Sequence, residues 1–128
     1  MTIKTFIVAL IVAITAANAF AQGGKAEPKR IKFAGLGLTA TVSGTLSNGQ
    51  EMDYVFSANK GQTVLIVNSR PTLFDFRVYN EAFEFETEFD SSPTLTFEIP
   101  ETGDYLFFVR KKAVRPQKAR FSMTLTLR

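Results

Sequence analysis

The sequence contains no cysteine, no histidine and no tryptophan, and each absence removes a class of chemistry. Without His or Cys there is no Ser-His or Cys-His nucleophile pair, no thiolate, and no tetrahedral zinc site of the usual ligands. Without Cys there are also no disulfides and no thiol to carry a lipid anchor, so packing alone must hold the fold together. Carboxylate chemistry stays formally open, because 12 Asp and Glu are present. Spacing alone does not mark a hydrolytic pair, however, and the chain is read as a non-enzyme without cofactor or metal.

What the chain has instead is phenylalanine, 13 residues in 128, within a composition that is 45% hydrophobic. One domain is the natural prior at this length. The first 21 residues are set apart from it. Lys4 supplies a short positive region, Phe6 to Ala17 an apolar stretch, and Ala17-Asn18-Ala19 and Ala19-Phe20-Ala21 are both A-x-A cleavage patterns. This reads as a secretory signal peptide, cleaved after Ala21. The apolar stretch falls short of the roughly 20 residues that a membrane span requires, and nothing later approaches that length. Residues 22–29, small, polar and Pro-containing, are expected to form a flexible tail. The folded domain is expected to cover 30–128, in a periplasmic or secreted protein.

Strand periodicity dominates the remainder. Leu95, Phe97 and Ile99 alternate with Thr94, Thr96 and Glu98. Met52, Tyr54 and Phe56 share a side, and Phe121, Met123, Leu125 and Leu127 alternate with Ser122, Thr124 and Thr126. Thr63 to Val67 is apolar on both faces, as in a central strand. Leu73, Phe76 and Val78 mark another strand, and Phe83, Phe85 and Phe89, opposed by Glu84, Glu86 and Glu88, a further one. Gly35 to Gly37 invites a bend, and Ser47-Asn48-Gly49 and Asn59-Lys60-Gly61-Gln62 are turn signals. About eight short strands with turns at ten-residue spacing and no helical period predict an all-β protein, an antiparallel β-sandwich.

Three constellations are candidates for function. Pro100-Glu101-Thr102-Gly103 stops one strand and Asp104 to Val109 begins the next, which predicts an antiparallel hairpin. Its tip carries Thr102, Gly103, Asp104 and Tyr105. It is either a plain turn with Tyr105 packed at the sandwich end, or a rigid projection able to fill a partner's cleft. The segment Arg110 to Arg120 carries Arg110, Lys112, Arg115, Lys118 and Arg120 before the last strand. It is either a solubilising loop or a contact for an acidic protein or an anionic membrane; nucleic acid is disfavoured, because the segment lacks interleaved aromatics. Glu84, Glu86 and Glu88 would form a flat acidic row whose oxygens diverge, so it reads as a solvated face that discourages edge pairing and not as a calcium site. The charge is also segregated: Glu81 to Asp104 holds eight acids and no base, and Arg110 to Arg128 seven bases and no acid.

The order Asp53-Tyr54-Val55-Phe56, Lys60-Gly61-Gln62-Thr63-Val64, Phe74-Asp75, Pro100 to Tyr105, and Phe121 to Leu127 resembles the bacterial pre-peptidase C-terminal domain, a secreted β-sandwich. Ile31-Lys32-Phe33, the run Tyr54 to Gln62, and a turn followed by an Arg-rich loop are similar to the periplasmic inhibitors of g-type lysozyme. That resemblance implies a lysozyme partner, held by the family's Ser-Gly-x-Tyr turn, which falls here on Thr102, Gly103, Asp104 and Tyr105, together with a nearby basic loop. Thr102 departs from Ser by a methyl group. The alternative it leaves is a non-catalytic carbohydrate- or protein-binding module, for which Tyr79 or Phe83 would have to replace the missing Trp as a sugar platform.

Overall fold

The last strand, β9 (Lys118–Leu127), is also the most regular, and the architecture is built outward from it in a computed structural model that describes residues 27–35 and 38–128. Phe121, Met123, Leu125 and Leu127 point into the core while Ser122, Thr124 and Thr126 face outward. β2 (Thr39–Ser47) and β4 (Thr63–Asn68) flank β9, and β7 (Thr94–Glu98) adds to β4, giving a four-stranded sheet in the order β2-β9-β4-β7. Its outer surface is tied by hydroxyl pairs across strands, with Thr41 Oγ1 3.0 Å from Thr124 Oγ1.

The second sheet has the order β1-β3-β8-β5-β6, from β1 (Lys29–Arg30), β3 (Glu51–Ala58), β8 (Gly103–Lys111), β5 (Phe74–Asn80) and β6 (Phe85–Glu86). All pairings are antiparallel except β1 with β3. The protein is therefore the expected all-β sandwich, with nine strands among the described residues, two of them only two residues long. The expected leader, residues 1–21, lies outside the described residues, as does most of 22–29, and Lys29 already belongs to β1.

Between the sheets lies a core rich in phenylalanine. Phe56, Phe74, Phe76, Phe107 and Phe121 are buried along with Tyr54, Tyr105, Val64, Ile66 and Ile99. Phe74 of one sheet meets Phe121 of the other edge-on at 5.6 Å, and Phe76 packs on Phe107 at 6.0 Å. At about 1.5 to 3 kcal/mol for each large apolar side chain buried, these contacts supply cohesion without any disulfide.

Two sequence expectations are corrected. β7 and β8 do not form a hairpin: β7 pairs with β4 in one sheet and β8 with β3 and β5 in the other, so Ile99 to Thr102 arches from sheet to sheet. The acidic row is not a strand either. Residues 81–84 turn the chain, with Asn80 Oδ1 accepting from the Phe83 amide at 3.1 Å and Glu84 at a φ of +54°; beyond it only Phe85–Glu86 forms a strand against β5, and Asp90 adds an isolated bridge to Phe76. The turn splits Glu84 from Glu86, and Glu88 lies beyond the short strand.

Candidate functional site

The arch Ile99 to Thr102 does not stand alone. It is welded to the β3–β4 turn, residues 59–62, at the same end of the sandwich. Gly61, at a φ of +89° that only glycine adopts without strain, donates its amide to Ile99 O at 2.9 Å, and Ile99 donates back to Gln62 O at 2.8 Å. The Gln62 side chain closes its own turn by accepting from the Asn59 amide at 2.7 Å. The Lys60 amide donates to Thr102 Oγ1 at 2.9 Å, so the hydroxyl of one turn locks the other. The ammonium of Lys60, 70% exposed, stands 4.0 Å from Glu101.

Tyr105 is the post under this apex. It is fully buried, stacked on Phe56 at 5.9 Å with Phe85 edge-on at 5.7 Å. Its hydroxyl donates to Glu101 O at 2.6 Å and accepts from the Glu101 amide at 3.3 Å, so one phenol satisfies both backbone groups of the arch. Burial pushes that phenol above its ordinary pKa. The sequence expectation that the phenol is presented to a partner is thus corrected: the ring is needed inside. Gly103 is also explained differently. Its φ is not positive, and a Cβ there would meet the Phe83 ring at 3.0 Å, so the position is small because a ring lies on it.

Asp104 is exposed but engaged. It accepts from Arg30 Nη2 at 2.8 Å and from Ser57 Oγ at 2.6 Å, and these bonds hold its carboxyl below the usual range. An open apolar depression of about 260 Å³ lies beside the apex, lined by Phe33, Leu38, Ala58, Gln62 and Leu127 among others. In the sequence Lys60-Gly61-Gln62 reads as a turn signal and as part of the family resemblances, not as part of a site. Its place in the apex depends on the cross-sheet arch, and strand periodicity does not reveal that arch.

The basic segment lies elsewhere. β8 runs nine residues from Gly103 to Lys111, which places Arg110 and the loop after it roughly 25 Å from the apex, at the opposite end. The expected neighbourhood of turn and basic loop is corrected by that length. Arg110 forms a bidentate pair with Asp75, at 3.1 and 2.7 Å, beneath the Phe89 ring at 3.7 Å, and is a clamp on the sheet face. Lys112 Nζ donates to Pro71 O and Arg120 Nη2 to Ser43 Oγ, while Arg115 and Lys118 are exposed without a partner among the described residues. Of the sugar-platform candidates, Tyr79 is covered by Arg77 at 4.8 Å, while Phe83 leans on Gly103 and Tyr105 with 38% of its surface exposed. Among the described residues no group of three acidic side chains could hold a metal, and no helix is long and apolar enough to cross a membrane.

No protein-family model and no curated protein matches the sequence. Solved structures do match in shape. PliG of Salmonella Typhimurium, a periplasmic lysozyme inhibitor of g-type lysozyme, superimposes with a TM-score of 0.65 at 18% identity, over 81% of this chain and 100% of that one. The chain has the fold of these inhibitors. PliG of Aeromonas hydrophila gives 0.64 at 18% identity, over 79% of this chain and 96% of that one. The pre-peptidase C-terminal domain of a Bacillus anthracis collagenase gives 0.54 at 14%, over 83% and 99%. Both resemblances drawn from the sequence therefore hold at the level of fold.

Proposed function

We propose that this chain is an exported, periplasmic inhibitor of a g-type lysozyme, without catalytic activity of its own, that occludes the enzyme's cleft with the two-turn apex. The reading rests on the whole-domain likeness to g-type inhibitors, and the apex geometry supplies a mechanism. Lysozymes cleave sugars between acidic residues. Thr102 Oγ1 accepts from the Lys60 amide, which leaves its own hydrogen free to donate outward, and the exposed Lys60 ammonium stands 4.0 Å from the neighbouring Glu101. One neutral donor and one cation on a fixed support suit carboxylate acceptors. The support loses little conformational freedom on binding, because Gly61, Gln62, Ile99, Glu101 and Tyr105 have already bonded it in place.

In this arrangement Arg115, Lys118 and Arg120 are too far from the apex to share a cleft with it. They act on approach, through their field, and not by contact. The test is a pair of variant sets scored for inhibition and for melting temperature. Thr102→Ala with Lys60→Ala is expected to weaken inhibition from several-fold to hundreds-fold, at about 1 to 3 kcal/mol for each anchor removed. Thr102→Ser, which keeps the hydroxyl, should retain it. Arg115→Glu with Lys118→Glu should slow association and flatten its salt dependence while leaving the final complex nearly as tight. Folded apex variants that inhibit at full strength would overturn the apex assignment.

A further inference from the structure

The end opposite the apex carries a concentration of positive charge for which the inhibitor reading has no contact role. Arg70, from the β4–β5 connection, donates to Arg120 O at 3.2 Å, which brings a second segment's cation beside β9. With Lys112, Arg115, Lys118 and Arg120 this makes five cations outside the core, and none forms an ion pair among the described residues. The carboxylates nearby, Asp75 and Glu51, act on Arg110. Beneath the loop is Lys111, fully buried, whose ammonium donates to Asn48 Oδ1 at 2.9 Å, Lys112 O at 2.9 Å and Val114 O at 2.8 Å. All three acceptors are neutral. A buried ammonium usually acquires a carboxylate, so this one leaves its charge uncancelled and adds to the field of that end.

Two of these bonds, to Lys112 O and Val114 O, fix the backbone that displays Val114. Its side chain is 44% exposed, an apolar residue between Ala113 and Arg115 on the loop that carries the cations. We propose that this end docks on an anionic phospholipid surface, with Val114 entering the headgroup layer and the five cations facing phosphates. Long, exposed side chains drawn from three segments suit a diffuse array of phosphates better than a fixed pattern of carboxylates. An apolar residue among cations is the arrangement that an interfacial contact uses. The acid-rich stretch from Glu81 to Asp104 starts and finishes toward the other end and returns along β5 only at its middle, where Asp90 bridges Phe76.

This proposal goes beyond the inhibitor reading and does not rest on it. Purified mature protein is sedimented with vesicles of phosphatidylglycerol in phosphatidylcholine and with vesicles of phosphatidylcholine alone. Binding to the first and not the second is expected, lost as salt rises toward 0.5 M, where the screening length is only several ångströms. Arg115→Glu with Lys118→Glu should reduce partitioning by about 30-fold or more, at about 1 kcal/mol per cation near the surface and tenfold per 1.4 kcal/mol. Val114→Asp should reduce it again with all cations present. Melting temperatures should match the parent, since these side chains are exposed. Equal binding to neutral vesicles, no binding to anionic ones, or tighter binding to duplex DNA than to vesicles at equal salt would each overturn the proposal.

Discussion

Gly44 and Gly103 look alike in sequence, each a glycine at a strand position, and differ in what covers them. A Cβ at Gly44 would meet Phe121 at 3.1 Å and Met52 at 3.3 Å, and Phe121 is locked in the core. At Gly103 the obstacle is the outer edge of Phe83, a ring 38% exposed that can swing away. Gly44→Ala is therefore expected to cost about 1 to 3 kcal/mol by overpacking, and Gly103→Ala less than half of that, in urea titration. Tyr105 gives a pH signature. A phenol whose folded pKa is raised contributes stability fully below its unfolded value, about 10, and loses it as the pH climbs through the higher folded value. Tyr54 is shifted the same way by burial. Tyr105→Phe should lose about 1 to 3 kcal/mol at pH 7, from the unsatisfied Glu101 groups, yet fall less steeply than the parent between pH 9 and 11. Identical slopes in urea midpoints across that range would contradict the assignment.

Alternation made the elements legible one at a time. Thr63 to Val67 reads as central and lies between β9 and β7, and the inward set of β9 is the one its period names. Pairing was not legible, because alternation is local and the partner of a strand is not. The chain changes sheets at every connection except β5–β6, so neighbours in sequence are rarely neighbours in a ladder, and Pro93 to Arg110 looked like a hairpin for lack of any local mark of the arch. The Phe-Glu stretch misled for a related reason: Asn80 caps a turn that its alternation conceals. The candidate site followed the same division. Thr102 stood out as a turn hydroxyl, but its partner Lys60 lies 42 residues away, and the burial of Tyr105 needed both sheets to be in place. The topology predicts an order of amide exchange. β8 and β9, flanked on both sides, should exchange slowest, and the two-residue β1 and β6 fastest, with edge strand β7 between. A β7 that outlasts β8 would contradict the pairing.

The whole molecule is a rod of charge with two different ends. One end is an internally bonded apex in which Arg30 pairs with Asp104 and the exposed Lys60 ammonium stands 4.0 Å from Glu101; the other holds Arg70, Lys112, Arg115, Lys118 and Arg120 over a buried lysine. A net formal charge of +3 conceals this division. In the proposed account this separation gives lysozyme contact to one end and approach to the other, which distinguishes it from one in which a basic loop and a turn fill a single cleft. The central claim remains that the protein inhibits a lysozyme, and the most direct measurement is a titration of the purified protein, residues 22–128, into g-type, c-type and i-type lysozymes during lysis of peptidoglycan. The account predicts that g-type activity falls to near zero at a small molar excess while the c-type and i-type enzymes stay active. Full activity of the g-type enzyme under a large excess of folded protein would contradict it.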